Sequence, residues 1–176
     1  GSSTIFILYC LAKNPDKQEL LRQEIMNILP SKETPFTDEN MKNMPYLRAC
    51  IKESMRLYPI VIGTVRKVHK EIVLSGYQVP VNSTVSMISM FELRNPSQFK
   101  NPDTFMPERW LRVSKEEAEK CPIANKTHNP YAFIPFGFGS RMCVGRRLAE
   151  LEMETLVSRI LRNFKLEWHH GDIKIK

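Results

Sequence analysis

The chain has 176 residues, 42% hydrophobic and 26% charged, which fits one globular domain with its own core and not a disordered segment. It holds no run of about 18 apolar residues, which excludes a helical membrane span within it. The net charge of +7 admits an acidic partner or an anionic surface, but the basic residues are dispersed and lack interleaved aromatics, which argues against nucleic acid.

Residues 1 to about 13 read as the last turns of an apolar helix. The sequence opens in mid-pattern, so we expect it to be cut from a longer protein. Asn14-Pro15-Asp16 starts a second helix, with Asn14 at the N-cap, Pro15 in the first turn and Asp16 at the positive end of the dipole. Leu21, Ile25 and Ile28 recur at helical spacing, and Pro30 ends the run. Thr37-Asp38-Glu39 caps a short helix. A longer one runs from about Pro45 to Tyr58 and stops at Pro59. It carries Glu53 and Arg56 at i and i+3, and Arg48 and Lys52 at i and i+4, so each pair shares a face.

Between Val65 and Met90, Ile72, Val73, Leu74, Val79, Val81, Val85 and Ile88 are punctuated by Ser75-Gly76, Pro80 and Asn82-Ser83. This predicts short strands and turns in one small sheet. A short helix is expected near Phe91-Leu93. Residues 95–135 show little periodicity, and a loop that long is often functional. A strong helix then runs to about Asn163, with Leu148, Leu151, Leu156 and Ile160 toward the core. The alternation in Leu166-Glu167-Trp168 suggests the start of a hairpin. The fold class is therefore mainly α with a small β-sheet.

The four cysteines show no C-x-x-C spacing, so neither a zinc site nor a disulfide framework is expected. Cys10, Cys50 and Cys121 read as small buried hydrophobes. Cys143 differs. It stands just before a helix N-terminus, where the dipole and nearby arginines favour thiolate, the metal-binding form. Gly137, Gly139 and Gly145 allow close backbone approach to a flat ligand. Arg141 lies two residues from the sulfur and suits an acidic group of a bound cofactor.

Phe136 to Gly145, F-G-F-G-S-R-M-C-V-G, resembles the cysteine-loop signature of the cytochrome P-450 family, F-x-x-G-x-R-x-C-x-G. Two more motifs occur in the family's order. Glu53-Ser54-Met55-Arg56 resembles its E-x-x-R, and Phe105 to Trp110 resembles its F-x-P-E-R-[FW]. The resemblance spans essentially the whole chain and implies the C-terminal, haem-binding portion of that fold as one partial domain over residues 1–176. It implies haem b with Cys143 as the axial thiolate, and Phe136 packed on the thiolate side. Arg66 and Arg141 would bind the haem propionates. Glu53, Arg56 and Arg109 would form a triad that locks the cysteine loop. Val61, Ile62 and Val65, in the loop from Ile60, would wall an apolar substrate pocket.

The family's oxygen-activating acid–alcohol pair would fall just before Gly1. Thr4 lies past that position and is not assigned, so no catalytic residue beyond the haem ligand is expected here. The resemblance implies that the intact protein inserts one oxygen atom from O2 into a small lipophilic substrate, sterol-like or xenobiotic. The alternative is a truncated, incompetent haem-binding or interaction-only fragment. Gly145 to Glu152 resembles the mitochondrial branch, which takes electrons from an acidic ferredoxin. Arg48, Lys52, Arg146 and Arg147 would form the basic docking patch. A microsomal flavoprotein reductase is the other candidate donor. The implied location is the matrix side of the mitochondrial inner membrane, or alternatively the endoplasmic reticulum membrane, with membrane association through segments outside this chain.

Overall fold

In the computed structural model, residues 1–31, 33–111 and 129–173 are described. Among the described residues five helices frame the core: α1 (Ser2–Lys13), α2 (Pro15–Ile28), α3 (Asp38–Lys42), α4 (Pro45–Leu57) and α5 (Arg146–Asn163). The described residues between α4 and the cysteine loop hold four short strands, β1 (Thr64–Lys67), β2 (Ile72–Leu74), β3 (Tyr77–Val79) and β4 (Thr84–Met87). Helices α1, α2, α4 and α5 pack on one another. Ile7, Leu11, Leu21, Ile25, Leu47 and Leu161 are fully buried between them.

The punctuation by proline and polar caps holds for most helix ends. Pro15 and Pro45 sit in the first turns of α2 and α4, where a missing N–H costs nothing. Thr37 accepts a hydrogen bond from Asn40 N at 3.2 Å and caps α3. Asn14 differs from expectation. It occupies the cap position of α2, but its side chain makes no cap bond there. Its Nδ2 instead donates to Cys10 O at 2.8 Å, closing the C-terminus of α1. Glu24 does the capping work for α4 from outside that helix, accepting from Tyr46 N at 2.8 Å and Leu47 N at 2.9 Å. Burial pushes the Glu24 carboxyl above its ordinary value, and these two backbone donors oppose the shift.

Three expectations are corrected. The strands form two separate antiparallel ladders, β1 with β4 and β2 with β3, instead of one sheet. Val81 lies in a turn and Ile88 caps the 3-10 segment Ser89–Arg94. Helix α5 is rotated from the expected face. It buries Met153, Val157, Ser158 and Leu161, while Leu148, Leu151 and Leu156 are exposed. Two adjacent apolar rows run along this helix, and the row Met153–Val157–Leu161 enters the core. Arg48 Nε pairs with Glu154 at 3.1 Å, and Ser158 Oγ lies 3.8 Å from Met44 Sδ. Finally, residues 164–173 form no ladder. Gln18 substitutes for a strand partner: its Nε2 donates to Leu166 O at 2.9 Å and its Oε1 accepts from Leu166 N at 2.8 Å. Cys121 lies outside the described residues; Cys10 and Cys50 are buried.

Candidate active site

The cysteine loop is a compact turn that ends where α5 begins. Cys143 N donates to Phe136 O at 2.9 Å, and Gly137 N to Ile134 O at 2.9 Å. Gly137 and Gly139 both have φ near +72°, a left-handed conformation that strains any residue with a Cβ. Gly145 is different. A Cβ built there would meet Cys143 Sγ at an ordinary 3.9 Å, so nothing within the chain demands glycine at that position. Cys143 is exposed, two residues before Gly145, the N-cap of α5.

Cys143 opens onto a cavity of about 790 Å3. Phe136, Gly137, Arg141, Arg66 and Val61 line the same cavity. The structure therefore brings a thiol and two guanidiniums from distant parts of the chain to one space. Pro59, Ile60, Met87, Ile88 and Leu93 add apolar wall. Ile62 and Val65 are exposed and lie outside the lining, as do Gly139 and Gly145. Ser3 faces the cavity and Thr4 does not. Thr4 is buried, and its hydroxyl has no hydrogen-bond partner among the described residues.

The donor set fits haem on chemical grounds. A thiol supplies one soft axial ligand. Two guanidiniums suit two carboxylates, and the apolar wall suits a macrocycle face. Two glycines with positive φ keep side chains out of the loop that carries the sulfur.

Behind the cavity lies a buried ion network. Glu53 and Arg56 are fully buried on α4. The Glu53 carboxylate accepts five hydrogen bonds. Arg56 Nη2, Arg109 Nε and Met106 N donate to Oε1 at 2.8, 3.0 and 3.0 Å. Arg56 Nε and Trp110 Nε1 donate to Oε2, both at 2.9 Å. Arg56 also reaches Leu93 O, Pro102 O and Thr104 O at 2.7, 2.6 and 3.3 Å. Arg109 Nη2 reaches Lys100 O at 3.0 Å. The Phe99 ring lies 5.2 Å from the Arg56 guanidinium and 5.9 Å from that of Arg109. A buried ion cluster is tolerable only when its polar atoms are satisfied, and here the carboxylate ties α4 to the loop at 102–110. The sequence reading found Glu53, Arg56 and Arg109 but missed Trp110, Met106 N and Phe99. Trp110 stood in the quoted motif, and its indole N–H was the available signal.

The four basic candidates are not equivalent. Arg48 is committed to Glu154 and to the Lys42 and Met41 carbonyls. Arg146 pairs with Glu150 at 2.9 Å. Lys52 is exposed and lies 5.9 Å from the Trp110 ring centroid. Arg147 is exposed in the first turn of α5.

Comparison with known proteins gives a consistent result. The sequence model described as Cytochrome P-450 matches residues 2–176. Over 172 residues the chain is 53% identical to the probable mitochondrial cytochrome P-450 12a5 of Drosophila melanogaster, covering 97% of the chain and 32% of that protein. It is 50% identical over 170 residues to the probable mitochondrial cytochrome P-450 12b2 of the same fly, covering 96% and 31%. The mitochondrial cytochrome P-450 12b1 of Drosophila acanthoptera is 48% identical over 170 residues, covering 96% and 32%. The chain thus spans about a third of the length of the curated relatives it matches.

Proposed function

The chain belongs to the cytochrome P-450 family, and we propose on that premise that the intact protein is a haem-dependent monooxygenase acting on a lipophilic substrate. The observation that carries this reading is the convergence of the Cys143 thiol with Arg66 and Arg141 on one largely apolar cavity. Haem bound there would supply oxygen activation, with the Cys143 sulfur as its protein ligand. The residues of this chain bind and orient it. Cys143, exposed just ahead of α5, would hold the iron through its sulfur. Arg66 and Arg141, which line the same cavity, would pair with the two propionates. Val61, Ile60 and Ile88 line the cavity with apolar surface that would suit a lipophilic substrate. Glu53, Arg56, Arg109 and Trp110 hold the preceding loop against α4.

Electron delivery is assigned to the surface of α4 and α5. Lys52 and Arg147 are exposed positive charges on that surface and suit an acidic ferredoxin. Arg48 serves mainly to tie α4 to α5. The mitochondrial names of the fly relatives support a mitochondrial location and this class of donor.

The test is to reconstitute the intact, haem-loaded protein with a mitochondrial ferredoxin and its reductase under 18O2. One labelled oxygen per product, from a panel of sterols and lipophilic xenobiotics, is the expected result. Haem-loaded protein that consumes neither O2 nor reductant, with ferredoxin or with a flavoprotein reductase, contradicts the reading.

A further inference from the structure

We propose that Met87, at the end of β4, is a specificity-determining residue that gauges how wide a lipophile the cavity admits. The proposal rests on the oxygenase reading above. The first observation is the register of the ladder at the cavity. β1 and β4 pair Thr64 with Met87 and Arg66 with Val85. Paired residues share a face, and faces alternate along each strand, so Thr64, Arg66 and Met87 look the same way. All three line the cavity, whereas Val65 and Ser86, a pair on the opposite face, do not. Met87 is also the diagonal neighbour of Arg66, within reach for long side chains. It therefore stands between the arginine proposed to pair with a propionate and the apolar wall of Ile60, Val61 and Ile88.

The second observation is how the end of β4 is pinned. A Cβ at Gly63 would collide with Met87 O and come within 2.9 Å of Ile88 Cα, so glycine is what lets the two segments meet. Just beyond, Met90 N donates to Ile62 O at 3.2 Å, and Ser89 Oγ donates to the same carbonyl at 3.4 Å. The backbone that carries Met87 is thus held by the ladder before it and by these bonds after it. Its side chain is not held in the same way. Met87 is 45% exposed and belongs neither to the buried core nor to the apolar residues packed on it. Met55, also in the lining, is packed against the core.

The third observation is the chemistry of the wall. Ile60, Val61 and Ile88 are β-branched and stiff at χ1, so they set a fixed boundary. Met87 is unbranched, and its thioether adapts to what it touches. A fixed backbone with an adjustable side chain makes a gauge. A slender ligand packs against the extended thioether. A wide ligand must displace it and loses that contact. Because one methylene in an apolar pocket changes selectivity about tenfold or more, the longer arm of Met87 is enough to rank ligands by width.

The experiment titrates the intact haem-loaded protein with N-butylimidazole, a slender iron ligand, and N-tritylimidazole, a wide one. Both dissociation constants are read from the Soret shift, which needs neither turnover nor a known substrate. Met87→Ala should shift the ratio of the two constants about tenfold or more in favour of the trityl compound. Met87→Phe should shift it in favour of the butyl compound. Ser86→Ala, on the opposite face of the same strand, should leave the ratio unchanged. The carbon monoxide band of each variant checks that haem and its thiolate are in place, and a loss of stability alone would move the melting temperature and not the ratio. A ratio unmoved in both Met87→Ala and Met87→Phe, in protein that shows the thiolate band and responds to both imidazoles, overturns the proposal and leaves the oxygenase reading standing. Unsubstituted protein with neither the thiolate band nor an imidazole response overturns both.

Discussion

Glu53→Gln is the substitution that probes the buried network most sharply, because it keeps the volume and removes only the charge and one acceptor. Five donors converge on the carboxylate, three on Oε1 and two on Oε2. The amide oxygen of glutamine can replace only one side. Its NH2 group must then face Arg56 Nε and Trp110 Nε1, donor against donor, if the oxygen keeps the three-donor side. Arg56 is fully buried and the Arg109 side chain nearly so, so both guanidiniums lose their counter-charge in a site closed to water. Breaking a buried ion pair from one side costs about 3–5 kcal/mol, against a typical total stability of about 5–15 kcal/mol. Urea unfolding of the intact protein, followed with haem retention, measures the effect. We expect a loss within that range and release of haem at lower denaturant. A loss below about 1 kcal/mol, with haem fully retained, would refute the reasoning, since a cluster replaceable at so little cost does not lock the loop.

Three further outcomes follow from particular contacts. Trp110→Phe removes one 2.9 Å hydrogen bond to Glu53 and should cost about 1.5–3 kcal/mol in the same unfolding assay. Gly63→Ala places a Cβ 2.4 Å from Met87 O and 2.9 Å from Ile88 Cα, both backbone, at the cavity wall; it should cost about 1–3 kcal/mol and lower haem content, read by melting and by absorbance. Lys52→Gln should slow reduction by ferredoxin and flatten its salt dependence, whereas Arg48→Gln should mainly lower stability, because Arg48 is held by Glu154 and two carbonyls; stopped-flow reduction at several ionic strengths separates the two.

Helix ends were legible wherever proline or a capping side chain acts through the local chain, as at Pro15, Thr37 and Pro45. They were less legible where the partner is remote: nothing near Tyr46 announces that Glu24 caps α4. The face of α5 was misread because the row Met153–Val157–Leu161 and the row Leu148–Leu156–Ile160 are both apolar. Periodicity locates such a stripe but cannot choose between adjacent rows; packing of Met153, Val157 and Leu161 into the core does that in three dimensions. The strands were legible by their β-branched residues, but strand propensity says nothing about partners, and the hairpin inserted between β1 and β4 splits the expected sheet in two. Alternation at Leu166-Glu167-Trp168 suggested a ladder, whereas Gln18 satisfies that backbone from a helix.

The site divides in the same way. Cys143, Glu53, Arg56 and Arg109 stood out because motifs mark them by spacing. That Arg66 and Val61 share a cavity with Cys143 depends on how the chain returns after α4. Ile62 and Val65, neighbours of Val61 in sequence, are absent from the lining because the turn into β1 and the alternation of the strand carry them away from it.

The most direct test of the whole account is the absorption spectrum of the intact, reduced, carbon monoxide-bound protein, recorded for the unsubstituted chain and for Cys143→Ala. The account predicts a Soret band red-shifted in the manner of thiolate ligation, lost in the variant even where haem is retained. An unchanged band in Cys143→Ala would contradict it, because the ligand would then be some other residue.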